Sequence, residues 1–230
     1  MIIQGLDIKI KKSSRKTVSI FIERDGSILA RIPKDLSDDE LGEVVKSKEY
    51  QIHKNLAQWK QLNEAKIERE YVNGQSFLYL GRNYRLRLED EDFKGLKLKN
   101  GYFLLSKTNK TKAKEYFIEF YKTKLQEKII PLVEQYKNHL GVKPNHIKIM
   151  ELQHRWASCS AKGNLNFHWK CAMAPIDTLK YIVIHELVHL IHPNHTTAFW
   201  NDVDKIVPDY RRQVKWLELN GAGMDLGVTL

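Results

Sequence analysis

The sequence has little of what disulfide-rich, secreted or membrane-spanning proteins require. Its 230 residues include only two cysteines, Cys159 and Cys171, which are too few for a disulfide framework. No apolar run approaches the roughly 18 residues that a membrane-spanning helix needs. The first residues do not show the basic segment and long apolar stretch of a secretory signal. We therefore expect a cytoplasmic protein that has no membrane partner.

Acidic residues are scarce relative to basic ones. The chain has 28 Asp and Glu against 38 Lys and Arg, a formal net charge of +10. Between residues 9 and 16 there is no acid, and the basic side chains there are Lys9, Lys11, Lys12, Arg15 and Lys16. Such an excess favours an anionic partner. We interpret the run as a solvated charged strand, and contact with the phosphates of nucleic acid is the alternative.

The most informative stretch runs from Tyr181 to Ile191 and carries His185, Glu186 and His189. Histidines four residues apart lie on one face of a helix, one turn apart. The flanking residues are almost all apolar, which is typical of a buried helix, and buried ionisable groups are costly unless they are paired or metal-bound. The pattern predicts one zinc ion per chain, with Glu186 as general base toward a metal-activated water.

A catalytic zinc keeps three protein ligands, so a third one is needed. His192 precedes Pro193, which disfavours helical geometry there, and the helix should end near Ile191 or His192. His195 follows the turn, where the chain can fold back. We predict His195 as the third ligand, with His192 as the alternative. Cys159 is interpreted as a buried thiol because three histidines suffice.

Strand-like and helix-like segments alternate along the chain, which predicts an α+β protein. Residues 1–106 read as an N-terminal strand-rich lobe with one long helix, which begins after Ser37, uses Glu40 in a capping box and ends near Ile67. Residues 107–222 form the predicted catalytic lobe, and residues 223–230 a tail. The catalytic lobe opens with a second long helix that Pro131 should kink or split. Gly141 should end that helix, and its aromatic stripe is interpreted as core.

Four stretches of the C-terminal half carry a family pattern. They are Arg155-Trp156-Ala157-Ser158-Cys159-Ser160, Gly163-Asn164-Leu165-Asn166-Phe167, His185-Glu186-Leu187-Val188-His189 with His195, Phe199 and Trp200, and Pro208-Asp209-Tyr210. Together they resemble the YgjP-like metallopeptidase family, which is related to the SprT-like and WLM zinc proteases. The usual family form has Gly where Ala157 stands and Cys where Val188 stands, and neither position is a ligand. The N-terminal half is similar in layout only.

The resemblance implies a minimal zincin-like lobe, in which the active-site helix lies beside a small antiparallel sheet. It implies zinc on His185, His189 and His195 with Glu186 as general base. It also places a hairpin beside the helix, where an extended peptide can pair with a strand edge. Four polar residues are candidates for lining the cleft or stabilising an oxyanion, with ordinary strand-surface roles as the alternative. They are Arg155, Asn166, His168 and Tyr210.

We therefore predict a zinc metallopeptidase that acts on proteins or peptides. The basic charge and the SprT-like kinship suggest proteins bound to nucleic acid as substrates, by analogy. One alternative is a metal-dependent hydrolase of nucleotide phosphoanhydrides, although the sequence has no P-loop or Gly-rich phosphate cradle. Another is a non-catalytic nucleic-acid-binding protein with a structural zinc, which a fourth ligand such as Cys159 or His192 would favour.

Overall fold

A computed structural model gives the structure of the protein. It describes residues 1–23, 26–64, 69–152 and 155–227, and for 58–64 the backbone alone. The chain folds into two compact units, Met1–Lys66 and Ile67–Leu230. This division falls earlier than the lobe boundary predicted after residue 106, because the strands before that residue share one apolar core with the helices after it. Within the described ranges, no helix has the length and apolar character to cross a bilayer.

Unit 1 is a four-stranded sheet packed against two helices. Its strands are β1 (Ile2–Ile3), β2 (Leu6–Ser13), β3 (Ser19–Ile22) and β4 (Ile28–Pro33), and its helices are α1 (Asp38–Ser47) and α2 (Glu49–Glu64). The strand order is β1-β2-β4-β3, with β2 parallel to β4 and the other pairs antiparallel. Alternate strand residues such as Ile8 and Ala30 meet Leu41 and Val45 of α1 in the buried core. The opposite face of the sheet therefore carries the intervening, mostly polar side chains.

The predicted capping box of α1 is confirmed, but the single long helix is not. The backbone N–H of Glu40 donates to Ser37 Oγ (3.3 Å), and the Ser37 N–H donates to the Glu40 carboxylate (2.9 Å). The helix then breaks at Lys48, where the Ser47 hydroxyl donates to the carbonyl of Val44 (2.8 Å). A serine that bonds back to its own helix weakens the regular ladder and bends it. The predicted end near Ile67 lies outside the described residues.

Unit 2 is built on the long helix α3 (Ala113–Leu140). A four-stranded sheet packs on it in the order β5-β6-β8-β7, formed by β5 (Ser76–Tyr79), β6 (Arg82–Glu89), β7 (Leu96–Lys99) and β8 (Tyr102–Ser106). The predicted aromatic stripe of α3 is core: Phe117 and Tyr121 are fully buried against Phe103 of β8. The Tyr121 hydroxyl donates to the carbonyl of Leu78 (2.6 Å). A 3₁₀ turn at Lys107–Lys112 joins β8 to α3.

Pro131 does not split α3, and a kink there, the other predicted outcome, stays a prediction. The helix runs without interruption through this residue, which lies on its exposed side. The prediction of its end is confirmed, because Gly141 adopts the left-handed conformation (φ 64°) and the N–H of Val142 returns to the carbonyl of Lys137. This is the geometry that favours glycine after the last helical residue.

The remaining elements of unit 2 surround a buried helix. They are β9 (Ile147–Met150), β10 (Ala157–Cys159), β11 (Leu165–His168), a 3₁₀ turn at Trp169–Met173, α4 (Ile176–Val188), α5 (Thr197–Ile206), α6 (Tyr210–Asn220) and a 3₁₀ turn at Gly221–Gly223. The sheet order is β10-β11-β9. It is mixed and not antiparallel as predicted, because β11 pairs with β10 antiparallel but with β9 parallel. β10 stands at its edge, against α4.

Residues 223–227 are part of the core of unit 2, although the sequence suggested a tail there. Met224 and Leu226 are fully buried. The Arg69 guanidinium donates to the carbonyls of Gly223 (3.1 Å) and Asp225 (2.7 Å), and the Tyr71 hydroxyl donates to the carbonyl of Leu226 (3.0 Å). The start and the described end of this unit are therefore bound to each other.

The turn between β5 and β6 is hydrogen-bonded to the segment that precedes α4. Leu80 and Gly81 form this two-residue turn with positive φ values of 47° and 74°, as a type I′ hairpin requires. The N–H of Leu80 donates to Ala172 and the N–H of Gly81 to Met173, both at 2.9 Å. A Cβ at Gly81 would lie 2.8 Å from Cγ of Pro175, the residue that precedes α4.

Gly81→Ala should destabilise unit 2 more than Gly101→Ala. Both glycines have positive φ, and both follow a positive-φ residue in a hairpin turn, but a Cβ at Gly101 would meet no atom within 4 Å. Left-handed strain is therefore common to the two variants, whereas the clash with Pro175 belongs to Gly81→Ala alone. Overpacking of this kind typically costs about 1–3 kcal/mol. Urea unfolding of both variants measures the difference in their free energies of unfolding. Equal values would show that the turn moves away from Pro175 at no energetic cost.

Candidate active site

The site is built on the last turns of α4. Nine of the thirteen residues of this helix are buried, Glu186 included. The assigned helix ends at Val188, but helical hydrogen bonds continue for one turn, from the His189 N–H to the His185 carbonyl (3.2 Å) and from the His192 N–H to Val188 (2.9 Å). His185 and His189 therefore keep the one-turn spacing that places them on the same face.

Three imidazoles meet at this point: His185, His189 and His195. Their ring centroids are 4.7–4.9 Å apart, and one ligand nitrogen from each lies within 4.8 Å of the others. The Nε2 atoms of His185 and His195 are 3.0 Å apart. Among the described residues, these three form the group that could hold a metal ion. His195 reaches it because the chain turns back after Pro193.

The Phe199 ring contacts all three imidazoles. It is fully buried in the first turns of α5, and its ring centroid lies 4.7–4.9 Å from each histidine ring. α5 begins at the Thr196 cap, whose hydroxyl accepts from the Phe199 N–H (3.4 Å). The position of the ring is thus fixed by a helix that starts immediately after His195.

His192, the alternative ligand, turns away from the cluster. Its Nε2 lies 2.9 Å from Asp202 Oδ2, and Asp202 also pairs with Lys205 (2.7 Å). The carbonyl of His192 accepts a hydrogen bond from Nδ1 of His189 (3.1 Å). That bond places the proton of His189 on Nδ1 and leaves Nε2 as an acceptor, as metal-binding histidines require.

The donor set fits a zinc ion. Burial lowers the pKa of His185 to about 3, and the neighbouring histidines add to this effect. Burial also lowers the pKa of His189. Neutral imidazoles are the form that binds metal. Three of them with a further open position make the donor set of catalytic zinc sites, whereas structural sites normally have four protein ligands.

Glu186 lies beside the histidines in a largely buried position. Burial raises the pKa of its carboxyl to about 7, against the opposing effects of the Arg155 guanidinium and the backbone N–H of Cys159. Its Oε2 atom is buried and has no hydrogen-bond partner among the described residues. A buried carboxylate oxygen without a partner is costly. A water molecule or substrate proton at this position would satisfy it.

A row of stacked aromatic rings links α4, α5 and α6 and ends at His195. Tyr181 stacks on Tyr210, Tyr210 on Trp200, and Trp200 on His195, with interplanar angles of 18–22°. The Tyr181 hydroxyl lies 3.3 Å from Nδ1 of His185. Sequence reasoning did not assign Tyr181 to the site. Its spacing, one helical turn before His185, was the available signal.

The four polar candidates have different surroundings. Arg155 is exposed and lines the cleft beside Glu186. Asn166 lies on β11 and donates to Ser158 Oγ across the hairpin (3.3 Å). His168 is fully buried, accepts from the Lys170 N–H and contacts Glu151. Tyr210 is buried in the aromatic row. Of these four, the structure brings Arg155 alone to the described lining of the cleft.

Two open spaces meet at His185 and Glu186. One is a cleft of about 750 Å³ that runs along β10 and over the three histidines. The other is a smaller cavity of about 400 Å³ between α4 and α6. Cys159 borders the cleft as a free thiol, and burial raises its pKa, with Glu186 adding to the effect. A substrate in the cleft would therefore reach both the histidine cluster and the carboxylate.

A buried helix with two histidines and a glutamate, completed by a third histidine, defines the protein as a candidate metallohydrolase. The chain belongs to the YgjP-like metallopeptidase family, whose metallopeptidase-domain model matches residues 16–220. Membership implies a metal cofactor. No curated protein matches the chain. The crystal structure of the metallopeptidase zymogen of Pyrococcus abyssi abylysin is similar over 44% of this chain and 99% of that chain, with 26% sequence identity and a TM-score of 0.37.

We expect about one zinc ion per purified chain, since the site offers one set of three ligands. His185→Ala and His189→Ala should abolish binding, and His195→Ala should weaken it severely. His192→Ala is the matched control, because its side chain bonds to Asp202 and its backbone carbonyl survives the substitution. Elemental analysis after gel filtration measures the stoichiometry. If the His192 variant lost zinc and the His195 variant kept it, the assignment of His195 as the third ligand would be wrong.

Proposed function

We propose that the protein is a zinc-dependent metallopeptidase in which Glu186 is the general base. The observation that carries this proposal is the buried Oε2 of Glu186, which has no partner in the described part of the chain, next to three converging imidazoles. A carboxylate with its pKa raised to about 7 is a better proton acceptor at neutral pH than an ordinary glutamate. Membership of a metallopeptidase family supports the peptide bond as the target.

The chain's own residues supply positioning and proton transfer. When bound by the three histidines, a zinc ion supplies Lewis acidity toward a water molecule and the scissile carbonyl. Glu186 accepts the proton of the attacking water at its free carboxylate oxygen and later donates it to the departing amine nitrogen. Arg155 is an exposed residue of the cleft lining, and in this proposal it holds the peptide backbone or a developing negative charge.

The edge of β10 supports an extended peptide as the substrate. This strand pairs with β11 on one side, and its other side borders the cleft that leads to Glu186. An unpaired strand edge can bind a peptide by adding one more strand. Nucleotides fit the cleft less well. Among its described lining residues, Arg155 is the one permanently charged cation, whereas a triphosphate needs several donors.

Glu186→Gln should retain zinc and fold but lose most activity. The amide keeps the shape of the side chain and can still hydrogen-bond a water molecule, but it cannot accept the proton. General acid–base catalysis typically contributes 10²–10⁴-fold, so kcat should fall by roughly that factor. Turnover of unfolded protein, protein bound to DNA and nucleotides should be measured for the wild type and the variant.

Glu134→Gln is a suitable control, because that glutamate is exposed on α3 and pairs with Lys137. Zinc content and circular dichroism should be the same in all three proteins. A Glu186→Gln variant with full zinc and near wild-type turnover would remove Glu186 from the mechanism. Turnover of nucleotides without turnover of peptides would favour a phosphoanhydride hydrolase. A fully loaded wild type that turns over neither substrate would favour a structural zinc.

As a second proposal, unit 1 binds nucleic acid, so that the substrates are nucleic-acid-associated proteins. Strand register supports it: Lys9 aligns with Leu29 and Phe21 across the sheet, and Lys11 aligns with Arg31 and Ser19. The outward face therefore combines exposed lysines with an exposed Phe21 ring (40%).

Two arginines extend the same face. The Arg31 guanidinium lies 5.3 Å from the Phe21 ring centroid, and Arg15 donates to Ser19 Oγ (2.6 Å). Lys12 alternates to the other face of β2, and Lys16 lies exposed beyond the end of that strand. Cations around an exposed aromatic ring suit a phosphate backbone with unstacked bases.

Substituting Lys9 and Lys11 together by serine should weaken binding of a single-stranded oligonucleotide and flatten its salt dependence. The slope of log K against log salt should become shallower by roughly 1.4, which is about 0.7 for each of two lost phosphate contacts. The double variant of Lys110 and Lys112 is the control, because both are exposed lysines of unit 2 and their loss changes the net charge equally. Fluorescence anisotropy measures the slopes. Equal slopes in the two variants would mean that the basic face of unit 1 is a solvated surface without phosphate contacts.

A further inference from the structure

The smaller cavity beside Glu186 has a partly apolar wall. It has a volume of about 400 Å³ and lies between α4, α6 and the start of β10. The apolar part of its wall comes from three elements: Trp156 and Ala157 at β10, Ile182 on α4, and Val214 and Leu217 on α6. Ile182 and Ala157 are buried and the other three are half-buried.

Charged groups line part of this cavity as well. Arg155 and Glu218 are both exposed, and they carry opposite charges. Tyr181 also lines the cavity, but its hydroxyl is directed at Nδ1 of His185 (3.3 Å). His185 and Glu186 also line the cavity. It is the apolar part of the wall that disfavours burial of a charged or strongly polar group.

Neighbouring backbone fixes the position of Trp156 in the cavity wall. A Cβ at Gly221 would lie 2.7 Å from Cζ2 of Trp156, so the indole rests directly on the backbone of that glycine. The carbonyl of Trp156 accepts from the N–H of His168 (2.7 Å), which holds its backbone against β11. A preformed wall reduces the entropy that a ligand must lose on binding.

We infer that this cavity receives the side chain of a substrate residue next to the bond on which Glu186 acts, and that it selects bulky apolar side chains. The inference rests on the proposed function. His185 and Glu186 border both the cavity and the cleft, so a peptide along β10 can place one side chain in the cavity. A dry cavity of about 150 Å³ holds a benzene molecule, so this one admits leucine or phenylalanine.

Leu217→Lys tests the inference, with Leu219→Lys as its control. Both leucines belong to α6, but Leu217 lines the cavity whereas Leu219 is 58% exposed and lies outside the described lining. Leucine and lysine have similar helix propensities, so the exposed change should be neutral. Val214→Phe is a second variant, which fills the cavity without adding a charge.

The zinc-loaded proteins should be incubated with a mixture of unfolded proteins, and the cleavage sites identified by mass spectrometry. Wild type and Leu219→Lys should both show leucine, phenylalanine and similar residues enriched at one position beside the cleaved bond. Leu217→Lys should lose that enrichment, with kcat/KM at such sites reduced by about 10- to 200-fold, the range for one misfit in an apolar pocket. Val214→Phe should shift the preference to smaller residues. No enrichment in the wild type, enrichment of basic residues, or an unchanged pattern in both cavity variants would overturn the inference.

A binding measurement separates this inference from the proposed function. Zinc-loaded Glu186→Gln protein should bind a short peptide that contains phenylalanine at least about tenfold more tightly than the same peptide with alanine, a ratio set by the transfer of one apolar side chain. The added Leu217→Lys change should abolish the difference. Selective binding without cleavage by the wild type would refute the proposed peptidase activity but support the role of the cavity in selecting side chains. Cleavage without selectivity would support the peptidase activity but refute that role of the cavity.

Discussion

The burial of α4 is the constraint on which the arrangement of unit 2 depends. The helix is apolar on almost every side, and α3, α5, α6 and β10 all contact it. Its buried polar residues, Glu186 above all, cannot be solvated in the usual way. The same burial raises the proton affinity of Glu186 and lowers that of His185. One physical cause thus yields both a carboxylate of higher proton affinity and neutral imidazoles, so the proton affinities of the site follow from its packing.

Local signals predicted a large part of this structure. The Ser37 cap, the end of α3 at Gly141 and the buried stripe around Tyr121 each follow from residues within one or two turns of one another. The convergence of His185, His189 and His195 also followed from short spacing, because the turn at Pro193 returns the chain within ten residues. Where neighbours in the sequence determine the geometry, the sequence was sufficient.

The features that were missed depend on distant partners or on competing local bonds. The break at Lys48 comes from a serine hydroxyl, with no proline or glycine to mark it. Pro131 was tolerated because it faces outward on a helix held by packing on both sides. The parallel pairing of β9, and the burial of His168 and Tyr210, are set by contacts across the fold. The division into units likewise follows from a shared core that no segment shows alone.

The two ends of unit 2 are joined in space, and this has a consequence for how the unit can be connected. Arg69 binds the carbonyls of Gly223 and Asp225, and a Cβ at Gly227 would lie 2.5 Å from the Arg69 carbonyl oxygen. The chain therefore enters and leaves this unit at the same place. Such a module can be spliced into a surface loop of a host protein, or rejoined end to end and opened elsewhere, without stretching the connection.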